Sequence, residues 1–216
     1  MELSATDPAF QSIQSLQWIY LVIFALATGE AIKGLFAPGS AEEQAKPLGV
    51  AKVYLWRLVP LIAFLVLVVP FVQGMGRFLF EVYHDPAGRT STYGLCLLGD
   101  FVAFSVEAGL FFFLARKLQP ENWRAFYLGV LAILLVDVLW AGCVIWVRDY
   151  PEILGWLSAN VIGLLALLAI LLMFGLPRTT RERWYGRALA PVVVVARTFL
   201  DYWWCWNLYF PAPQAA

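Results

Sequence analysis

Apolar residues occur along the chain in six long runs, separated by short polar segments that contain proline, glycine and charged residues. An apolar run of about 20 residues is long enough to cross the ~30 Å hydrocarbon core of a bilayer as a helix. The proline and glycine residues between the runs are typical of helix ends. The pattern therefore predicts six transmembrane helices, over residues 14–36, 50–82, 93–117, 122–147, 152–176 and 187–210.

The predicted fold is an all-α, polytopic transmembrane bundle that forms a single domain over residues 1–216. The second helix is much longer than a span requires, and it contains Pro60 and Pro70. Because an interior proline removes a backbone hydrogen bond, we expect this helix to be kinked. We also expect its first turns to lie at the membrane interface or to protrude from it.

Composition supports a membrane location. Of the 216 residues, 62% are hydrophobic and 14% are charged, and the mean hydropathy is +0.73. Soluble domains contain about 25% charged residues. Fifteen basic residues balance fifteen acidic ones, so the net charge does not favour a nucleic-acid partner. The partner that composition predicts is the lipid bilayer.

Basic residues are distributed unevenly between the connections. Eleven lie in or beside the first, third and fifth connections and three in or beside the second and fourth: Lys33, Lys46, Lys52, Arg57, Arg116, Lys117, Arg124, Arg178, Arg181, Arg183 and Arg187, against Arg77, Arg89 and Arg148. Positively charged loops tend to stay in the cytoplasm. We therefore expect both termini outside the cytoplasm. The small size and short loops favour a bacterial inner membrane.

Tryptophans fall near both predicted interfaces, where aromatic belts are common. We interpret them as anchors or packing residues. The outer set is Trp18, Trp146, Trp156, Trp203, Trp204 and Trp206, and the inner set is Trp56, Trp123 and Trp184. The segment "VQGMGRF" around Gly74 and Gly76 indicates close helix packing at the outer end of the second helix.

Five ionisable residues fall inside the predicted spans: Asp100, Glu107, Asp137, Arg197 and Asp201. An Asp, Lys or Arg at the centre of a membrane helix costs about 2.5–3.5 kcal/mol when it inserts. These side chains must therefore face the bundle interior, pair with one another or contact water. Arg197 and Asp201 are four residues apart, which predicts that they are neighbours on one helix surface. Asp100 and Glu107, seven apart, share one face of the third helix.

Four acids against one base predict an acidic interior. Protonation, a bound cation or a water-filled cavity would each relieve the excess charge. The leading hypothesis is therefore a channel or transporter for a small cation or proton. Glu107 and Asp137 would be the central acids, Asp100 would lie on the outer approach, and Arg197 would be a counter-ion tethered by Asp201.

A second interpretation stays open. Buried charges can cross-link helices or dock a partner subunit, which fixes the assembly. The protein would then be a non-catalytic membrane subunit or effector. The modest size of a six-helix chain of 24.3 kDa leaves little room for a wide pore and favours a homo-oligomer.

Two charged residues near the inner end of the first helix, Glu30 and Lys33, are candidates for an inner mouth. The alternative is an interfacial pair whose lysine extends to the headgroups.

Motifs of enzymes and metal sites are missing from the sequence. It contains no G-x-S-x-G, H-E-x-x-H or paired-cysteine pattern, and His84 is its single histidine. The three cysteines, Cys96, Cys143 and Cys205, are expected to be free packing thiols. We therefore expect neither catalysis, nor a metal, nor a cofactor.

Overall fold

A computed structural model describes residues 8–36, 47–84, 93–118, 122–174 and 180–211. Within these ranges the chain forms seven α-helices and no strand, which confirms the all-α prediction. We number the helices in chain order: α1 Pro8–Leu35, α2 Pro47–His84, α3 Tyr93–Ala115, α4 Trp123–Arg148, α5 Leu154–Phe174, α6 Thr180–Trp204 and α7 Trp206–Tyr209.

Five of the helices are long and apolar enough to cross a membrane. The candidate spans are Gln11–Leu35, Arg57–Tyr83, Gly94–Ala115, Trp123–Arg148 and Pro151–Phe174. Large apolar side chains cover the outside of the bundle, among them Trp146, Leu139 and Val147, which are 90%, 62% and 73% exposed. Lipid is the environment in which such a surface is stable.

The predicted sixth span differs from the other five. Its residues form α6, but this helix is not apolar enough to count as a span by composition. The reason is its charge: Arg187, Arg197 and Asp201 all lie within its last 18 residues. The predicted run to residue 210 is also interrupted at Cys205, whose backbone dihedral angles are φ −103° and ψ 25°, and the chain continues as the short α7.

The second helix extends over 38 residues and includes both Pro60 and Pro70. At 1.5 Å per residue it is about 57 Å long, well beyond the hydrocarbon thickness. Its candidate span among the described residues is Arg57–Tyr83; the expected extension of its first turns before the membrane stays a prediction. The proline-induced kink stays a prediction.

The connection between α4 and α5 shows how a polar segment reverses the chain. Asp149 adopts the left-handed conformation with φ 51°. Aspartate tolerates this region better than most residues. A single 3₁₀ turn over Pro151–Ile153 follows and leads directly into α5. The pair of spans is therefore tightly connected.

The six long helices form a closed ring. Contacts run from α1 to α3, then to α4, α5, α6 and α2, and α2 contacts α1 again. Phenylalanine side chains of α2 and α3 are buried in the core; Phe64, Phe78, Phe104 and Phe111 are 0–2% exposed. Edge-to-face contacts join many of these rings, for example Phe71 with Phe111 at 5.3 Å between centroids. Polar residues that enter this core are consequently shielded from lipid.

Candidate functional site: a buried polar chain

Asp137 of α4 is the centre of a set of buried polar groups. Its side chain is completely buried. Its Oδ2 atom accepts hydrogen bonds from the indole Nε1 of Trp156 and from the amide Nδ2 of Asn160. Both donors belong to α5, one turn apart, so α5 presents them together on the face that packs against α4. An ionised carboxylate is well suited to accept both bonds.

Arg197 of α6 continues the chain of contacts. Its Nε donates to the Asn160 side-chain oxygen at 2.7 Å, so that Asn160 connects Asp137 to Arg197. Its guanidinium carbon lies 5.2 Å from the centroid of the Phe71 ring, in a cation–π contact. Arg197 is 2% exposed, which shields this positive charge from lipid.

Asp201 forms one end of the polar chain. Its Oδ2 atom lies 3.0 Å from Nη1 of Arg197, and both side chains are almost fully buried. The predicted proximity of these two residues on one helix is thus confirmed. Asp201 also accepts a hydrogen bond of 3.0 Å from the Tyr209 hydroxyl of α7. The break at Cys205 places α7 so that Tyr209 reaches Asp201.

Glu107 of α3 completes the set. Its side chain is 3% exposed and is within hydrogen-bonding reach of the Asp137 carboxyl group. Among the described residues, Glu107 Oε1 and Asp137 Oδ1 are buried oxygens without a hydrogen-bond donor, and so is Asp201 Oδ1. An unsatisfied buried polar atom costs about 1–3 kcal/mol. Three buried carboxyl oxygens without a donor from the described residues are therefore the unusual feature of this site.

We call this set the buried polar chain: Glu107, Asp137, Trp156, Asn160, Arg197, Asp201 and Tyr209. It includes three carboxyl groups and one guanidinium group. Three carboxylates and one guanidinium would carry a net charge of −2 in a low-dielectric core, which is strongly unfavourable. At least part of this charge must be neutralised, by protons or by a bound cation.

Asp100 does not belong to the buried polar chain. Its carboxylate accepts hydrogen bonds from the Tyr83 hydroxyl and from Trp140 Nε1, the latter at 2.9 Å, and pairs with Arg148 Nη1 at 2.9 Å. Arg148 also donates to the Cys96 carbonyl at 2.9 Å. Asp100, predicted from the sequence to lie on the outer approach of an ion pathway, therefore has a basic partner of its own. The sequence predicts that Arg148 lies just after the fourth span. In the structure it is the last residue of α4, and its side chain reaches Asp100.

We call the group of Tyr83, Asp100, Trp140 and Arg148 the Asp100 clasp. It connects α2, α3 and α4. A groove of about 530 Å³ lies beside it between α3 and α4, with mostly apolar walls. The Asp100 carboxylate receives its hydrogen bonds and its ion pair from the other three members of the Asp100 clasp, which is typical of a structural cross-link.

The inner-mouth candidates lie apart from both groups. Glu30 and Lys33 are 3.8 Å apart, and their side chains are 36% and 81% exposed. This exposure agrees with the alternative interpretation, an interfacial pair at the end of α1.

Trp156 shows what sequence reasoning missed. The sequence predicts a belt or packing residue, and its burial at 1% exposure agrees with packing, but its hydrogen bond to Asp137 is not foreseen. Its spacing of four from Asn160 is the signal that could have identified it, because residues four apart share a helix face. For Tyr209 the sequence carries no comparable signal, since its contact with Asp201 depends on the break at Cys205.

Metal ligands are not clustered in the part of the chain that the structure describes: no three His, Cys, Asp or Glu side chains are grouped to hold a metal ion. The three cysteines are free thiols. Comparison with known proteins gives no further assignment, because no family model, no curated protein and no solved structure matches this chain.

Proposed function

We propose that this multi-pass membrane protein carries protons or another small cation across the bilayer through its helix ring. The single observation that supports this proposal most strongly is the excess of buried carboxyl groups in the buried polar chain. Glu107 and Asp137 are the central acids of the pathway, and Arg197 with Asp201 is its counter-ion pair. Asp100 has a structural role in the Asp100 clasp.

Burial weighs against the alternative function, in which intramembrane charges dock partner helices. Docking through charged side chains requires them on the outer surface of the bundle. Glu107, Asp137, Arg197 and Asp201 are instead 0–3% exposed and face one another. A homo-oligomer assembled through the apolar outer surface is compatible with transport.

The proposal includes a bacterial inner membrane, with α6 crossing it as a sixth span and both termini outside the cytoplasm. The uneven distribution of basic residues between the connections supports this orientation. Catalysis is not part of the proposed function, because the carboxyl groups are held in a buried network rather than in a cleft open to a substrate.

The test is ion flux into liposomes that contain the purified protein, measured separately for H⁺, Na⁺ and K⁺. Glu107→Gln removes one central acid, and Glu152→Gln, at an exposed position, is the matched control. We expect flux in the parent and in Glu152→Gln, and flux at the level of empty liposomes in Glu107→Gln. A folded, inserted parent that passes none of the three ions would contradict the proposed function and favour a purely structural role for the charges.

A further inference from the structure

We infer that the ion carried is the proton, and that the contacting carboxyl groups of Glu107 and Asp137 are its binding site. This inference rests on the proposed function and specifies its substrate. It follows from the number of hydrogen-bond donors that the described side chains supply.

Too few donors reach the carboxyl pair. Asp137 Oδ2 accepts from Trp156 and Asn160, so this oxygen is saturated with donors from α5. Asp137 Oδ1 and Glu107 Oε1 receive none from the described residues, although both atoms are buried. Two carboxyl groups within hydrogen-bonding reach of each other repel unless a proton lies between them. One proton bound to Glu107 supplies the missing donor and removes the repulsion.

The charges around the carboxyl pair allow the proton to move between Glu107 and Asp137. Arg197 pairs directly with Asp201, which offsets part of its positive charge, and its hydrogen-bond connection to Asp137 runs through the Asn160 amide. A direct ion pair with Arg197 would hold Asp137 ionised. With Asn160 in between, the O–H bond can break at Glu107 and form at Asp137, and the negative charge moves to Glu107. The other ionisable groups that act on Glu107 or Asp137 are Tyr20 of α1, with Arg197 and Asp201 of α6.

A metal cation fits the same site poorly. Oxygen-coordinated cations in proteins typically take about six or more oxygen ligands. The unpaired carboxylate oxygens of the buried polar chain number three, on Glu107, Asp137 and Asp201, and no described acidic cluster is close enough to hold a metal. The guanidinium of Arg197 lies between Asp201 and Asn160 and would repel a second positive charge. The proton needs no coordination shell and adds only an O–H bond.

The experiment combines two measurements on the full-length protein in lipid. Proton flux is followed with an internal pH-sensitive dye while Na⁺ and K⁺ are replaced by an impermeant organic cation. Infrared absorption of a protonated carboxyl group is recorded at neutral pH. Both are repeated for Glu107→Gln, Asp137→Asn and the control Glu152→Gln.

We expect proton flux that does not need Na⁺ or K⁺, and a protonated-carboxyl band that Glu107→Gln removes and Glu152→Gln retains. Flux of Na⁺ or K⁺ that depends on Glu107 would overturn the proton inference and leave the proposed function standing. Absence of any flux would overturn the proposed function itself. An infrared band that is unchanged in both Glu107→Gln and Asp137→Asn would show that the proton site is elsewhere. If Glu107→Gln does not fold, the band of the parent is compared with that of Asp137→Asn alone.

Discussion

Gly74 of α2 lies directly against the indole ring of Trp156 in α5. A Cβ atom at position 74 would overlap two carbon atoms of that ring. The indole is 1% exposed, and its N–H donates to the Asp137 carboxylate. The absence of a side chain at Gly74 therefore allows α2 to approach closely enough to fix the orientation of a donor in the buried polar chain.

Replacing Gly74 by alanine should destabilise the protein. In an ordinary helix position Gly→Ala gains about 1 kcal/mol, but overpacking of a core costs about 1–3 kcal/mol. We expect Gly74→Ala to lower the melting temperature and the proton flux together, because the displaced indole no longer donates to Asp137. Gly76→Ala is the matched control, since the nearest atom to its Cβ is Gln17 Nε2 at 4.0 Å. Equal melting temperatures for the two variants in detergent would show that the core accommodates the methyl group.

At Gly74 the sequence predicts close packing but not the residue that packs there. Two glycines in "VQGMGRF" predicted close packing, and Gly74 confirms it, but nothing in the segment shows that the neighbour is Trp156. The helix boundaries were predictable because apolar run length and proline or glycine breaks are local properties. The α4–α5 reversal follows from Asp149 and Pro151 in the same local way.

The partners of the buried charges were harder to predict. Arg197 and Asp201 could be paired from their spacing on one helix. The contacts of Asp100 with Arg148 and of Asp137 with Asn160 depend on which helices are adjacent, and periodicity does not determine this. A helix that is apolar on every side, as α5 largely is, gives no preferred direction for packing.

Removing the Asp100 carboxylate should weaken the fold without abolishing flux. Asp100→Ala would leave the half-buried Arg148 without its acidic partner, along with the donors of Tyr83 and Trp140. Breaking a buried ion pair by removing one partner costs about 3–5 kcal/mol, and the partial exposure of Arg148 places the cost toward the lower end. We expect a lower melting temperature and a normal flux per folded molecule. A folded Asp100→Ala protein without flux would return Asp100 to the ion pathway.

The alkaline limit of stability should depend partly on Tyr150. Tyr150 lies between the fourth and fifth candidate spans, and its hydroxyl donates to Glu81 at 3.0 Å. Burial together with this bond raises the pKa of Tyr150 above the ordinary value of 10.0. Because the folded state retains the proton longer than the unfolded state, the stabilisation is complete below pH 10 and is lost as the pH rises beyond it. Tyr150→Phe should cost about 1 kcal/mol at neutral pH. Its melting temperature should fall less than that of the parent between neutral and strongly alkaline pH, and parallel curves would contradict this role.

Orientation can be tested by thiol labelling in a variant in which serine replaces all three cysteines. A single cysteine is then introduced at Asp149, between α4 and α5, or at Arg116, after α3; both positions are exposed. With both termini outside, an impermeant maleimide should label position 149 in intact cells and position 116 only after the membrane is opened. Because these residues follow successive spans, the reverse pattern would invert the proposed topology.

Variants of the Arg197–Asp201 pair allow its contribution to stability and its contribution to transport to be measured separately. Arg197→Met or Asp201→Leu alone leaves one buried charge uncompensated, which costs about 3–5 kcal/mol. The double variant removes both charges and should recover most of that loss, apart from about 1 kcal/mol for the Arg197–Asn160 hydrogen bond. Its proton flux should nevertheless stay below that of the parent, because the guanidinium no longer helps to stabilise negative charge on Asp137. Unfolding curves and dye-based flux are measured on the same three preparations. Full flux in a stable double variant would reduce the pair to a structural cross-link and confine the proton pathway to Glu107 and Asp137.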